Sequence, residues 1–146
     1  MSAERLLAWS AAVTVSVVML GCAASAPKSF SYSQSPGWST IELRRGLGYD
    51  RAWDTVLEIL VKNFEIDQAI RREGYLRTGW LYTWSGEYRS HYRVRVSVKF
   101  APDRTKLQYL PEAQFLSGKE WRVGTDSRLV STIKTDLMGT VGRTTR

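Results

Sequence analysis

Period-two alternation is sharpest in YRVRVSVKF, residues 92 to 100, where Tyr92, Val94, Val96, Val98 and Phe100 interleave with Arg93, Arg95, Ser97 and Lys99. Strand side chains point alternately to opposite faces, so this segment reads as a strand with one apolar and one basic face. KLQYLPEAQF, residues 106 to 115, follows the polar turn PDRT as another strand, with Pro111 marking an edge or a bulge. Upstream, TIELRR reads as a short strand closed by Gly46 and Gly48, and EIDQAIRREG as a strand turning at Glu73 and Gly74. In YLRTGWLYTW, which comes next, Leu76, Thr78, Trp80, Tyr82 and Trp84 share one face and form the expected core side.

Two segments carry helical periodicity instead. Between residues 49 and 64, Tyr49, Trp53, Val56, Leu57, Leu60 and Phe64 line one stripe, with Asp50 and Asp54 near the amino end, where the helix dipole favours them. A second helix is expected from an N-cap at Thr125 or Asp126 to about Gly139, its stripe being Leu129, Val130, Ile133, Leu137 and Val141. This order predicts a single α+β domain over residues 39–142: an antiparallel sheet of four to five strands with two helices packed on one face. Residues 143–146 read as a tail.

The start of the chain follows a different grammar. Residues 6–21 carry no charge, follow Arg5, and end in Gly21 beside Cys22, as signal peptides do. Met19, Leu20, Gly21 and Cys22 resemble the lipobox of bacterial lipoproteins, in which a peptidase cuts between Gly21 and Cys22 after the thiol has been acylated. Residues 1–21 are then a signal peptide, and residues 22–38, rich in Ser, Ala and Pro, a lipidated cysteine and flexible tether. The competing reading is an uncleaved helix, since Leu6 to Ala26 could just cross a hydrocarbon core of about 30 Å. Ala23, in place of an aspartate, resembles the default for sorting to the outer membrane, facing the periplasm.

Charge then narrows the chemistry. Removing residues 1–21 takes only Glu4 and Arg5 from 21 basic and 14 acidic side chains, leaving 20 against 13, so the mature surface is basic. Such a surface attracts phosphates and acidic proteins, and export removes nucleic acid from the candidates. One cysteine and one histidine, His91, exclude an internal disulfide and leave no ligand set for a metal. His91 has no serine elbow or aspartate at a spacing that would make it a catalytic base, so no enzyme and no cofactor are expected. The expected contact face is Arg89, His91, Arg93, Arg95 and Lys99, with an ordinary solvated face as the competing reading. Trp38, Trp53, Trp80, Trp84 and Trp121 read as core filler, with Trp38 and Trp84 the two best placed for exposure at an interface.

YDRAWDTVLEILVKNFEI, REGYLRTGWLY, the alternating basic strand and the closing helix together resemble the domains of bacterial envelope lipoproteins related to a lipid-anchored accessory component of the outer-membrane β-barrel assembly machinery. The resemblance spans roughly residues 40 to 141 and rests on packing patterns. It implies a helix-grip-like fold, no catalytic residues, and a partner in the envelope. The expected function is that of a membrane-anchored, non-enzymatic binding or assembly subunit that meets an envelope protein or an anionic envelope component. The alternative is a module for a small apolar ligand or lipid, using the crevice between sheet and helix.

Overall fold

A computed structural model describes residues 24–143. The expected signal peptide, the expected cleavage point between Gly21 and Cys22, the expected lipidation of Cys22 and the last three residues of the tail lie outside the described residues. Chain order is β1 (Phe30–Tyr32), β2 (Ser39–Glu42), α1 (Tyr49–Val61), β3 (Ile66–Ile70), β4 (Tyr75–Thr78), β5 (Tyr92–Phe100), β6 (Lys106–Ser117), β7 (Glu120–Asp126) and α2 (Ser127–Thr140). The strands form one antiparallel sheet in the order β1-β7-β6-β5-β4-β3, with β2 also paired to β6.

The expected four to five strands are therefore corrected to seven, within the same α+β class. The added strands are β1 and β7. β1 is three residues long and lies in the Ser- and Pro-rich stretch whose composition reads as tether, so no periodicity exposes it. In β7 the usual alternation is absent from the core side, where Gly124 and Asp126 stand, while Trp121 and Val123 point the other way. Phe30 supplies the missing apolar bulk. A Cβ at Gly124 would come 2.6 Å from the Phe30 ring and 2.3 Å from the Ser31 carbonyl, so only glycine lets β1 lie this close.

β6 is long enough to take two neighbours along one edge. Its first half pairs with β2, from Glu42↔Lys106 to Ser39↔Tyr109, and its second half with β7, from Ala113↔Gly124 to Ser117↔Glu120. Pro111 sits between them, opposite Val96 of β5. The Val96 N–H turns away to Thr78, so this pair makes no ladder bond and the proline nitrogen faces the gap between β2 and β7. Pro111 is thus a central-strand residue, placed at the one point of β6 where neither neighbour needs a donor.

Both helices cover the face that carries Tyr92, Val94, Val96, Val98 and Phe100, all at most 2% exposed. α1 contributes Trp53, Val56, Ile59 and Leu60, with Trp53 and Tyr49 packed on Phe100. α2 contributes Leu129, Ile133 and Leu137. The space between sheet and helices is filled by these side chains with Leu76, Leu107 and Tyr109, at 0–3% exposure. Burying each large apolar side chain contributes about 1.5–3 kcal/mol, which makes this layer the main source of stability.

One buried carboxylate ties the chain's start to its last helix. Asp126 caps α2, its Oδ1 accepting from the N–H groups of Arg128 and Leu129 at 2.9 and 3.0 Å and from the Trp84 indole at 3.4 Å. Its Oδ2 accepts from the Ser29 hydroxyl at 2.7 Å and from the Tyr92 phenol. Burial pushes the Asp126 carboxyl upward, but the bonds from Tyr92, Ser29, Leu129 and Trp84 outweigh it and hold it below the ordinary range. Burial and the same carboxylate together raise Tyr92 well above the usual phenol range.

Candidate interaction face

The second face of the sheet is built by a defect in β4. Arg77 pairs with Ser97, but the next bridge joins Leu81 to Val94, so four residues on one strand span three on the other. This bulge at Thr78–Trp80 reverses the parity of everything after it. Leu76 and Thr78 point to the core, Leu81 follows them there, and Trp80 and Tyr82 turn to the open face. Thr78 repairs the ladder at the bulge: its Oγ1 accepts the Val96 N–H at 3.0 Å and donates to the Gly79 carbonyl at 3.1 Å. The expectation that Trp80 and Tyr82 belong to the core is overturned by this extra residue.

On the open face, aromatic rings and guanidinium groups alternate. The Arg93 guanidinium carbon lies 4.3 Å from the Trp80 ring centre and 3.9 Å from that of Trp121, and Arg95 lies 4.3 Å from Trp80. The order is Trp121, Arg93, Trp80, Arg95, drawn from β7, β5 and the bulge. Arg93 is held by Gln114 through Nε and Nη2 at 2.9 and 2.7 Å, and its Nη1 donates to the Tyr82 hydroxyl at 3.2 Å. Arg95 meets Glu112 across the ladder with a fork of 2.7 and 3.3 Å. Further along the face, Lys99 Nζ lies 5.6 Å from the ring of Trp38, which is 40% exposed.

These contacts separate two kinds of cation. Glu112 neutralises Arg95, whereas Arg93 is fixed by neutral groups and has no carboxylate partner among the described residues. Cation–π contacts contribute about 0.5–1 kcal/mol when exposed and more when water is excluded. The stack therefore leaves Arg93 rigid while its charge is not compensated locally, a state that favours a partner's carboxylate or phosphate oxygen.

Of the five residues expected to form the contact face, the structure brings Arg93, Arg95 and Lys99 onto it. His91 instead packs edge-on against Phe115, with ring centres 5.7 Å apart. Arg89 pairs with Glu87 at 3.2 Å in the loop before β5. Both precede the strand, so alternation along β5 does not direct them. Trp84 is not an exposed interface residue but stacks on Phe64 and bonds Asp126, while Trp53 is core. Trp80, Tyr82, Glu112, Gln114 and Trp121 are the members of the face that sequence reasoning left out. Gly79 inside a strand pattern was the available sign of the bulge.

No protein-family model matches the chain, and no curated protein matches it either.

Proposed function

We propose that this chain is a lipid-anchored, non-enzymatic binding subunit of the bacterial cell envelope, probing a neighbouring envelope protein with the open face of its sheet. The observation that carries the reading is the ordered stack of Trp121, Arg93, Trp80 and Arg95 on a sheet face that neither helix covers. Tryptophan and arginine dominate the energetics of protein interfaces because they combine large contact area with directional bonding. The occupant is an acidic segment of the partner. Its carboxylates find Arg93 uncompensated and Lys99 exposed, while Arg95 is already neutralised and acts as a spacer between rings.

The signal-like amino terminus with Gly21 and Cys22 supports the location, and the resemblance to envelope assembly lipoproteins supports the class of partner. The test is affinity capture from solubilised envelopes, followed by crosslinking to identify the captured protein and the segment touched. Wild type is expected to retain an envelope protein through an acidic stretch, and Arg93→Glu to lose it without loss of fold. Equal capture by Arg93→Glu, or crosslinks that avoid the face, would refute the assignment. Acylation is tested separately by mass analysis of the amino terminus, where an intact Met1 on abundant soluble protein contradicts the anchor.

A further inference from the structure

A second basic feature lies at the end of the sheet where β5 passes into β6, and it shares no residue with the Arg93 stack. Three chain segments meet there: the loop from β2 to α1, the turn into β6, and the residues after α2. They enclose a cleft of about 460 Å³ lined by Arg44, Arg45, Arg104, Lys106 and Arg143, with Glu42 the one carboxylate in its wall. Arg143 already pairs with Glu42 at 3.4 Å. On the far side of the Arg44–Leu47 loop, a second cleft of about 430 Å³ adds Arg51.

Asp50 and Asp54 are paired elsewhere, whereas Asp103 keeps its charge and lies close enough to Lys106 to feel its attraction. Arg71 takes both Asp50 and Asp54, at 3.1 and 3.3 Å, and Asp103 accepts from the N–H and hydroxyl of Thr105 at 3.0 and 2.8 Å. Five cations thus face the cleft against two carboxylates, Glu42 in its wall and Asp103 beside Lys106, which leaves a net positive charge.

Several of these cations are fixed by contacts that leave their charge intact. Arg44 donates to the last carbonyls of α2, at 3.0 Å to Thr140 and 3.5 Å to Gly139. Arg104 donates to the Arg72 carbonyl at 2.8 Å and lies 4.2 Å over the Tyr49 ring. Its backbone φ is +59°, the only left-handed value at a non-glycine position among the described residues. Such a conformation costs about 1 kcal/mol or more, and it is retained here by an arginine where asparagine or glycine would sit with less strain. Arg45 and Lys106 are exposed and have no ion pair among the described residues.

We infer that this cleft is a phosphate-binding site, taking the phosphate of a membrane lipid headgroup or of a soluble polyphosphate. The exposed Arg45 and Lys106 present donors to phosphate oxygens, while Arg44 and Arg104, already held by backbone carbonyls, add charge from the wall at little further entropic cost.

The experiment uses the full chain in neutral maltoside micelles at low salt. It is titrated with inorganic pyrophosphate, and separately with micelles doped with phosphatidylglycerol or, as control, phosphatidylcholine. Wild type should bind pyrophosphate, phosphatidylglycerol micelles, or both, in preference to phosphatidylcholine. The Arg45→Gln/Lys106→Gln double variant should bind on the order of thirtyfold more weakly, from two lost cations beside the anion. Both side chains are exposed, so its melting temperature should match wild type, and Arg93→Gln should bind like wild type. Binding of pyrophosphate alone identifies a soluble ligand, and binding of doped micelles alone identifies a headgroup. Equal affinity in wild type and double variant, or no preference over phosphatidylcholine by either probe, would overturn the inference. Neither result depends on whether the open face binds a protein.

Discussion

Tyr92 donates its phenolic hydrogen to the carboxylate of Asp126 inside the core, joining the start of the central strand to the cap of the last helix. A carboxyl held below its ordinary range takes up a proton less readily when folded than when unfolded. Its stabilisation is therefore complete above the unfolded value, about 3.9, and is lost as pH falls through the lower folded value. Melting temperature should drop below about pH 4 in wild type, with a shallower drop in Asp126→Asn, which has no charge to lose. Asp126→Ala strands Tyr92, Ser29 and two helix amides and should cost roughly 2–4 kcal/mol in urea unfolding at neutral pH.

The aromatic ring of Phe30 packs on Tyr92 and Phe115 and Ser29 bonds Asp126, which puts the folded boundary no later than Ser29, inside the span whose composition reads as tether. Phe30→Ala should destabilise by about 3 kcal/mol, and Tyr32→Ala, at 62% exposure, by less than about 1 kcal/mol. Chemical denaturation of the two variants side by side checks the boundary. Equal small effects would return residues 30–32 to the tether.

Thr78 holds the β4 bulge through its hydroxyl, so Thr78→Val should leave the Val96 N–H without an acceptor. The expected loss is about 1–3 kcal/mol, with faster hydrogen exchange at Val96, and Thr78→Ser should restore most of it. Exchange unchanged in the valine variant would show that the hydroxyl does not carry the junction.

Replacing Arg93 by lysine preserves charge but not the planar fork that Gln114 and Tyr82 hold between two indoles. Partner capture should weaken by about tenfold, while unfolding free energy changes by no more than about 1 kcal/mol. Quantitative capture alongside thermal melts separates the two effects, and full capture by the lysine variant would reduce Arg93 to a simple point charge.

Residues 49–61 and 92–100 were legible because their periodicity and their burial agree: Trp53, Val56 and Leu60 in the helix, Val94, Val96 and Val98 in the strand. The cap was legible to within one residue, Thr125 or Asp126, since either polar side chain precedes the apolar stripe, and the structure gives it to Asp126. β7 was not, because its inward positions hold Gly124 and Asp126, whose partners Phe30 and Ser29 lie almost a hundred residues away. The open face was half visible. Alternation places Arg93 and Arg95, but a one-residue bulge decides where Trp80 points, and pairing with β6 brings Trp121 opposite Leu116 on the same side.

The register shift between Ile66 and Gln68 has a further bearing, because β3 is an outermost strand of the sheet and presents unpaired backbone groups to solvent. The irregularity interrupts that row, Asp67 places a charge within it, and the opposite side of the sheet ends in two short strands, β1 of three residues and β2 of four. None of these borders offers a long regular edge to a second copy, so the concentrated protein is expected to resist fibrous polymerisation.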